Sequence, residues 1–284
     1  MARKSFQIFN YIFLTLLGVI FVLPYLYIIV GSFTSEAAYL TNGYQLWPQE
    51  WSLDAYKKIF TSASDILNAF KNSIIITVGG TLLQLCVTTM TAYALTRKNL
   101  KGKKIFMALM MFAMLFSGGL IPSYIWIAST LQLRNTYLAV LLPGSLHIWN
   151  CILVMNYLRT IPVELEEAAK MDGCGYWRQF VQIILPLAVP IIATIALYAA
   201  VAYWNMWSAP ELYFDSNHRH MLPITALLRQ MIQQNLNPGG GGVSGVAETV
   251  KMATTVLATV PILCVYPFLQ RFFMSGLTLG SVKG

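Results

Sequence analysis

Four carboxylates crowd one polar stretch of an otherwise apolar half-chain. They are Glu164, Glu166, Glu167 and Asp172, within PVELEEAAKMDGCGYWRQFVQIILPLAVP, Pro162 to Pro190. Both flanks of this stretch read as membrane-spanning, so it offers a soluble, charged handle to a cytoplasmic partner. Ionic contact is the chemistry these groups suit. No nucleophile–base pair accompanies them, and an enzyme is not indicated. Cys86, Cys151, Cys174 and Cys264 lack metal-ligand spacing and read as small packing residues without a disulfide framework. No Gly-x-x-x-x-Gly-Lys-Ser/Thr loop is present to cradle phosphates.

The elements that must position these groups follow from the same stretch. Pro162 suits the first turn of a helix, where its missing N–H costs nothing. Glu164, Glu166 and Glu167 then complement the positive end of the helix dipole. Leu165, Ala168 and Ala169 recur at helical spacing and give a small-residue face that admits another backbone. Asp172-Gly173 signals a turn. A second short helix, Tyr176 to Ile184, carries Tyr176, Phe180 and Ile184 along one side. Pro186 and Pro190 mark re-entry into the bilayer, where kinked helices are tolerated. The pattern also suits an ordinary polar loop between two spans.

Composition sets the class. Hydrophobic residues make up 57% of the 284 and charged residues 11%, against roughly 25% charged in soluble domains. Mean hydropathy is +0.60. The chain is expected to be all-α, a single polytopic membrane domain over 1–284 with six transmembrane helices. The expected spans are about 10–32, 72–95, 105–128, 137–158, 184–206 and 250–272, each near the ~20 residues a bilayer requires. A signal peptide competes for the first, but the apolar run is long and lacks a small-x-small cleavage site. Pro24 is expected to kink that span, and Gly118, Gly119 and Pro122 to loosen the outer half of the third.

The net charge of +8 is distributed as orientation signals are, not as a nucleic-acid patch. Arg97, Lys98, Lys101, Lys103 and Lys104 crowd one loop without an acid. The expected topology puts 12 Lys and Arg residues inside and seven outside, with both termini cytoplasmic. The polar stretch, taken as loop 159–183, then faces the cytoplasm, and 33–68 and 207–249 lie outside. Trp51 to Phe60 suits an amphipathic helix at the outer interface. The 207–249 segment, with its run Pro238 to Gly242, is either a docking surface for an extracytoplasmic partner or a mobile loop.

Glu167-Ala168-Ala169, Asp172-Gly173, Phe180, Ile184, Pro186 and Pro190 together resemble the EAA loop of ABC-importer permeases. Cys174 stands where Ala is usual. The ending Gly276-Leu277-Thr278 followed by Gly280 to Gly284 resembles that of carbohydrate-type permeases, with Ser281 in place of Ala. With six spans, the resemblance covers nearly the whole chain. It implies a permease subunit that works by alternating access, with the EAA loop docked on a cytoplasmic ATPase. The implied partners are a second homologous permease, two ATPase subunits and an extracytoplasmic solute-binding protein in a bacterial inner membrane. ATP and Mg belong on those partners, and this chain is expected to bind no cofactor and no metal. Carried over by position, Glu167 is the charged contact, Ala168 and Ala169 permit close packing, and Gly173 makes the bend beside Asp172. Phe180 completes the motif.

Trp204-Asn205-Met206-Trp207 and Leu222-Pro223 to Gln230 resemble the branch serving complex oligosaccharides, including polyuronates such as alginate. Aromatic rings and amides at or near span ends are the candidates for a sugar path: Gln84, Tyr93, Trp149, Asn150, Asn156, Tyr203, Trp204 and Asn205. For each taken singly, an interfacial anchor or helix–helix glue is the favoured explanation. The alternatives are an importer for another solute and a self-contained secondary carrier or channel. No span holds a central Asp, Glu, Lys or Arg, and His147 alone could serve a proton relay.

Overall fold

The computed structural model describes residues 2–43, 45–61, 64–97, 100–236 and 247–281. Among these residues there is no strand, and one isolated bridge pairs Thr34 with Trp51. The helices are α1 (Ala2–Ser32), α2 (Glu36–Asn42), α3 (Asp54–Thr61), α4 (Ser64–Thr96), α5 (Lys103–Leu115), α6 (Leu120–Tyr124), α7 (Tyr137–Leu141) and α8 (Ile148–Leu158). They continue with α9 (Val163–Met171), α10 (Tyr176–Gln179), α11 (Leu185–Leu187), α12 (Val189–Trp204), α13 (Ser208–Tyr213), α14 (Ile224–Leu236) and α15 (Glu248–Ser281). Wide π turns follow α6 at Ile125–Thr130 and α10 at Phe180–Ile184. The chain falls into two compact units, Met1–Phe70 with Leu227–Pro261, and Lys71–Ala226 with Ile262–Gly284.

Among the described residues, two single helices are long and apolar enough to cross a membrane, Phe6–Ser32 and Asp65–Thr96, and each bent pair below adds one span if counted together. In the first unit, α1 passes through Pro24 as one helix. None of its apolar window is buried, as befits a surface meant for lipid or another helix. Beyond it, the Ser35 hydroxyl accepts from Ala38 N–H at 3.2 Å and starts α2. Glu36 then reaches the start of α15. Its carboxylate accepts from the backbone of Glu248 and Thr249, both at 3.0 Å, and from Thr249 Oγ1 at 2.6 Å. A negative group therefore fills the donor-rich end of the last helix.

In the second unit, expected spans break where the sequence lacks a donor or a Cβ. Lys103–Leu115 and Leu120–Thr130 meet at 118° across Phe116 to Gly119. Gly119 there adopts a φ of +88°, which other residues rarely tolerate. Pro143-Gly144 separates α7 from α8, so the span expected over 137–158 is two pieces. Within the fifth expected span the chain bends by 81° between Tyr176–Leu187 and Val189–Trp204.

The segment after α12 is built rather than loose up to Leu236. Asn135 Nδ2 donates to Asp215 Oδ2 at 2.7 Å, and Asn135 Oδ1 accepts from Asp215 N–H at 3.0 Å. Asn72 Nδ2 donates to the carbonyls of His220 and Leu222 at 2.7 and 3.1 Å. Ser73 Oγ accepts from Ile224 N–H at 2.8 Å. The bond from His218, then that from Asn135, brings the Asp215 carboxyl down to about 2. Pro238 to Gly242 lie outside the described residues.

Burial pushes the Glu36 carboxyl up, but the three bonds from Thr249 and Glu248, with the Lys58 charge, outweigh it and hold it below 4.5. The folded chain therefore binds a proton here less readily than the unfolded chain. This contribution is complete above about pH 4.5 and is lost as pH falls through the folded value. Glu36→Ala is expected to cost about 1 kcal/mol, the usual worth of a helix cap. Thermal melts of the detergent-solubilised protein should show a lower Tm at neutral pH and a flatter acid-side decline.

Candidate functional site

The two-helix loop assembles from local signals. Pro162, with φ −57° and ψ 132°, precedes α9 rather than entering it. Glu164 and Glu166 occupy the first turn and Lys170 the last, each matching the helix dipole. Gly173 ends the helix in the left-handed region at φ +75°. Cys174 N–H donates to the Ala169 carbonyl at 2.9 Å and Gly173 N–H to the Lys170 carbonyl at 3.0 Å. These two bonds are a Schellman C-cap, which satisfies carbonyls the helix leaves open.

The second limb is held at its base by Gln179, a residue the sequence reading passed over. Its side chain is 1% exposed, and Nε2 donates to the Cys174 carbonyl at 2.8 Å. The signal available was a lone amide next to Phe180 on an apolar face. Phe180 and Ile184 point inward, at 5% and 2% exposure, but Tyr176 does not join them and is 57% exposed.

Both limbs rest on the end of α4. Arg97 forms a two-pronged ion pair with Glu166, its Nη2 lying 2.6 Å from Oε1 and its Nη1 against Oε2. The guanidinium lies 4.2 Å from the centroid of the Tyr93 ring. Tyr93 Oη donates to the Tyr176 carbonyl at 3.2 Å, and its ring packs 5.0 Å from that of Phe180. Beside the pair opens a cleft of about 370 Å³, lined by Arg97, Arg159, Glu166, Glu167, Lys170 and Tyr176 among others.

Of the residues expected to meet a partner, Glu167, Ala168, Asp172 and Gly173 are exposed, while Ala169 and Phe180 are buried. Met171 and Trp177 add exposed apolar surface at 88% and 66%. The loop thus presents charge and apolar area on one side and packs the other on its own unit.

A second cavity, about 330 Å³, gathers four of the eight sugar-path candidates: Gln84, Trp149, Asn150 and Tyr203. Gly144, His147, Tyr198, Ala202 and Met206 complete its lining. Gln84 and Asn150 are nearly buried, at 5% and 4% exposure. Tyr203 is wedged between two glycines. A Cβ at Gly80 would stand 2.6 Å from its ring, and one at Gly144 2.6 Å from its hydroxyl. That hydroxyl donates to the Leu141 carbonyl at 3.1 Å.

The other four candidates lie elsewhere. Tyr93 supports the two-helix loop. Asn156 Oδ1 accepts from Arg159 at 3.4 Å. Asn205 closes α12, its Nδ2 donating to the Val201 carbonyl at 2.9 Å, and Trp204 is buried. No group of three or more His, Cys, Asp or Glu able to hold a metal occurs among the described residues.

Comparison with known proteins places the chain in a family. Residues 84–278 match the model of the binding-protein-dependent transport system inner membrane component. Protein LplC of Bacillus subtilis strain 168 is 41% identical over all of this chain and 96% of its own length. From the same organism, the polygalacturonan/rhamnogalacturonan transport system permease protein YtcP is 39% identical over the whole of both chains. Among solved structures, a chain of a bacterial ABC transporter involved in import of the acidic polysaccharide alginate superposes with a TM-score of 0.86. It is 28% identical, and the match covers 96% of this chain and 98% of that one.

Gly173 has open space around a would-be Cβ, so only its positive φ restricts substitution. Gly173→Val is expected to strain the bend by about 1–2 kcal/mol without a steric clash. Hydrogen exchange should then quicken over residues 163–184 and leave α4 unchanged.

Proposed function

The chain belongs to the binding-protein-dependent transport system inner membrane component family, and on that premise we propose how it serves as the permease of a sugar ABC importer. It is an all-α polytopic protein of the inner membrane and a transport permease rather than an enzyme. ATP is hydrolysed on two partner subunits, and a second, different permease completes the pore. An extracytoplasmic binding protein delivers the solute. Both termini and the 159–183 loop face the cytoplasm.

The observation that carries this reading is the two-helix loop itself. It is bent at Gly173, exposes Glu167, Met171 and Trp177, and is seated on α4. Glu167 meets a basic side chain of the ATPase, and Ala168 lets that subunit's backbone come close. Ala169 and Phe180 act from within, keeping the loop's shape. When the ATPase subunits close, the loop moves with them and the spans rock between inward- and outward-open states.

The cavity at Tyr203 suits a sugar. Trp149, Tyr198 and Tyr203 offer flat faces, and Gln84 and Asn150 offer amides for hydroxyl groups. We take the solute to be an oligosaccharide, with polyuronates the favoured class because YtcP is named for polygalacturonan and rhamnogalacturonan transport and the solved importer for the acidic polysaccharide alginate. The described lining includes His147 but neither Arg nor Lys. Carboxylates of such a solute therefore rely on the partner permease for countercharge.

Two experiments test the reading. Purification in mild detergent should bring down an ATPase and a second permease with the parent chain. Glu167→Arg should lose the ATPase and keep the permease; a parent chain that purifies alone and stable overturns the assignment. Separately, Gln84→Ala or Asn150→Ala should raise the half-saturating solute concentration for uptake in proteoliposomes by about tenfold. Co-purification of the ATPase should be unaffected by either change.

A further inference from the structure

We propose that Arg97 is the residue that sets the position of the two-helix loop on α4, making the loop and the end of that helix one mechanical piece; this rests on the coupling role proposed above. The grounds are geometric. The last turn of α4 and the residue that follows it, Tyr93 to Arg97, hold both limbs. Arg97 grips the first limb through both oxygens of Glu166. Tyr93 grips the second, by its hydroxyl at the Tyr176 carbonyl and its ring against Phe180.

The two grips are joined. The guanidinium stacks on the Tyr93 ring at 4.2 Å, its Nε donates to the Tyr93 carbonyl at 3.3 Å, and its Nη2 also reaches Thr96 Oγ1 at 3.2 Å. The Arg97 and Glu166 side chains are only 17% and 16% exposed. Their pairing is therefore less screened than a surface ion pair. Arginine suits the task because its planar fork meets a carboxylate at two points and an aromatic face at a third.

The limbs need such a hold. Segments of nine and four residues are too short to keep a helix, or a direction, by themselves in water. Glu167, one residue along, is exposed and free to face a partner, while Glu166 faces the chain's own α4. Adjacent carboxylates thus divide the labour: one receives force and its neighbour passes it on.

The assembled transporter provides the test. Arg97→Ala and Glu166→Ala should each retain the ATPase on co-purification, yet lower solute moved per ATP hydrolysed by about tenfold. The double alanine variant should be no worse than either single one. The exchanged pair, Arg97→Glu with Glu166→Arg, should recover most of the coupling, and Arg97→Lys should recover less because it loses the fork.

Unchanged coupling in the singles, or additive losses in the double, overturns the proposal. If the singles fail to assemble, recovery of assembly by the exchanged pair supports it and lack of recovery overturns it. Hydrogen exchange on the purified chain alone separates the two readings. Arg97→Ala should quicken exchange across 163–179 by about tenfold, whether or not an ATPase partner exists. A parent chain without an ATPase would sink the coupling role, whereas unaltered exchange in the variant would sink the Arg97 assignment.

Discussion

Hydrocarbon offers no partner to a backbone N–H or C=O, so a crossing segment must satisfy its own. The arrangement depends on how α4 meets that requirement, as one unbroken helix from Ser64 to Thr96. Asn72 and Ser73 hold the 220–224 segment, Gly80 and Gln84 border the aromatic cavity, and Tyr93 leads to Arg97 under the two-helix loop. From Asn72 to Thr96 the helix covers about 36 Å, at ~1.5 Å per residue. Three sites thus share one continuous element, and none can be displaced far without involving its neighbours along the helix.

The helices around it meet the same requirement differently. Gly119, Pro143-Gly144 and the 81° bend before Val189 interrupt them. Local side-chain hydrogen bonds accompany the breaks. Gly119 N–H takes Ser117 Oγ at 3.2 Å, Ser123 Oγ donates to the Gly119 carbonyl at 2.8 Å, and Thr194 Oγ1 donates to the Pro190 carbonyl at 3.0 Å. Broken elements also create space. The gap between α7 and α8 puts Gly144 and His147 in the cavity lining, and Tyr203 fits because both Gly80 and Gly144 lack a Cβ.

What could be read from the sequence was what neighbours in the chain decide. The bend at Gly173, the acidic first turn of α9 and the weak point at Gly118-Gly119 all follow from local preferences. So does the apolar character of the spans. The pairing of Arg97 with Glu166 joins residues 69 apart, and no spacing rule reports it. Arg97 looked like one more orientation charge, and Tyr93 looked like a sugar platform because an aromatic near a span end fits either role. The cavity was half legible. Residue type picked out Gln84, Trp149, Asn150 and Tyr203, but the two glycines that seat Tyr203 mattered through their distance to it. The segment after α12 looked like a loop, since Asn72 and Asn135, which pin it, lie far back in the chain.

The Glu36 cap carries a consequence for how the protein is made. Its acceptors wait for donors at Glu248 and Thr249, more than 200 residues later in the chain. At ~5–20 residues per second, a ribosome needs on the order of 10–40 s to supply them. Throughout that interval the segment around Glu36 lacks its latch while the later helices are still to be made. An early segment of the chain is thus capped by a late one, and a nascent chain stalled before residue 248 would leave the Glu36 carboxylate without these donors.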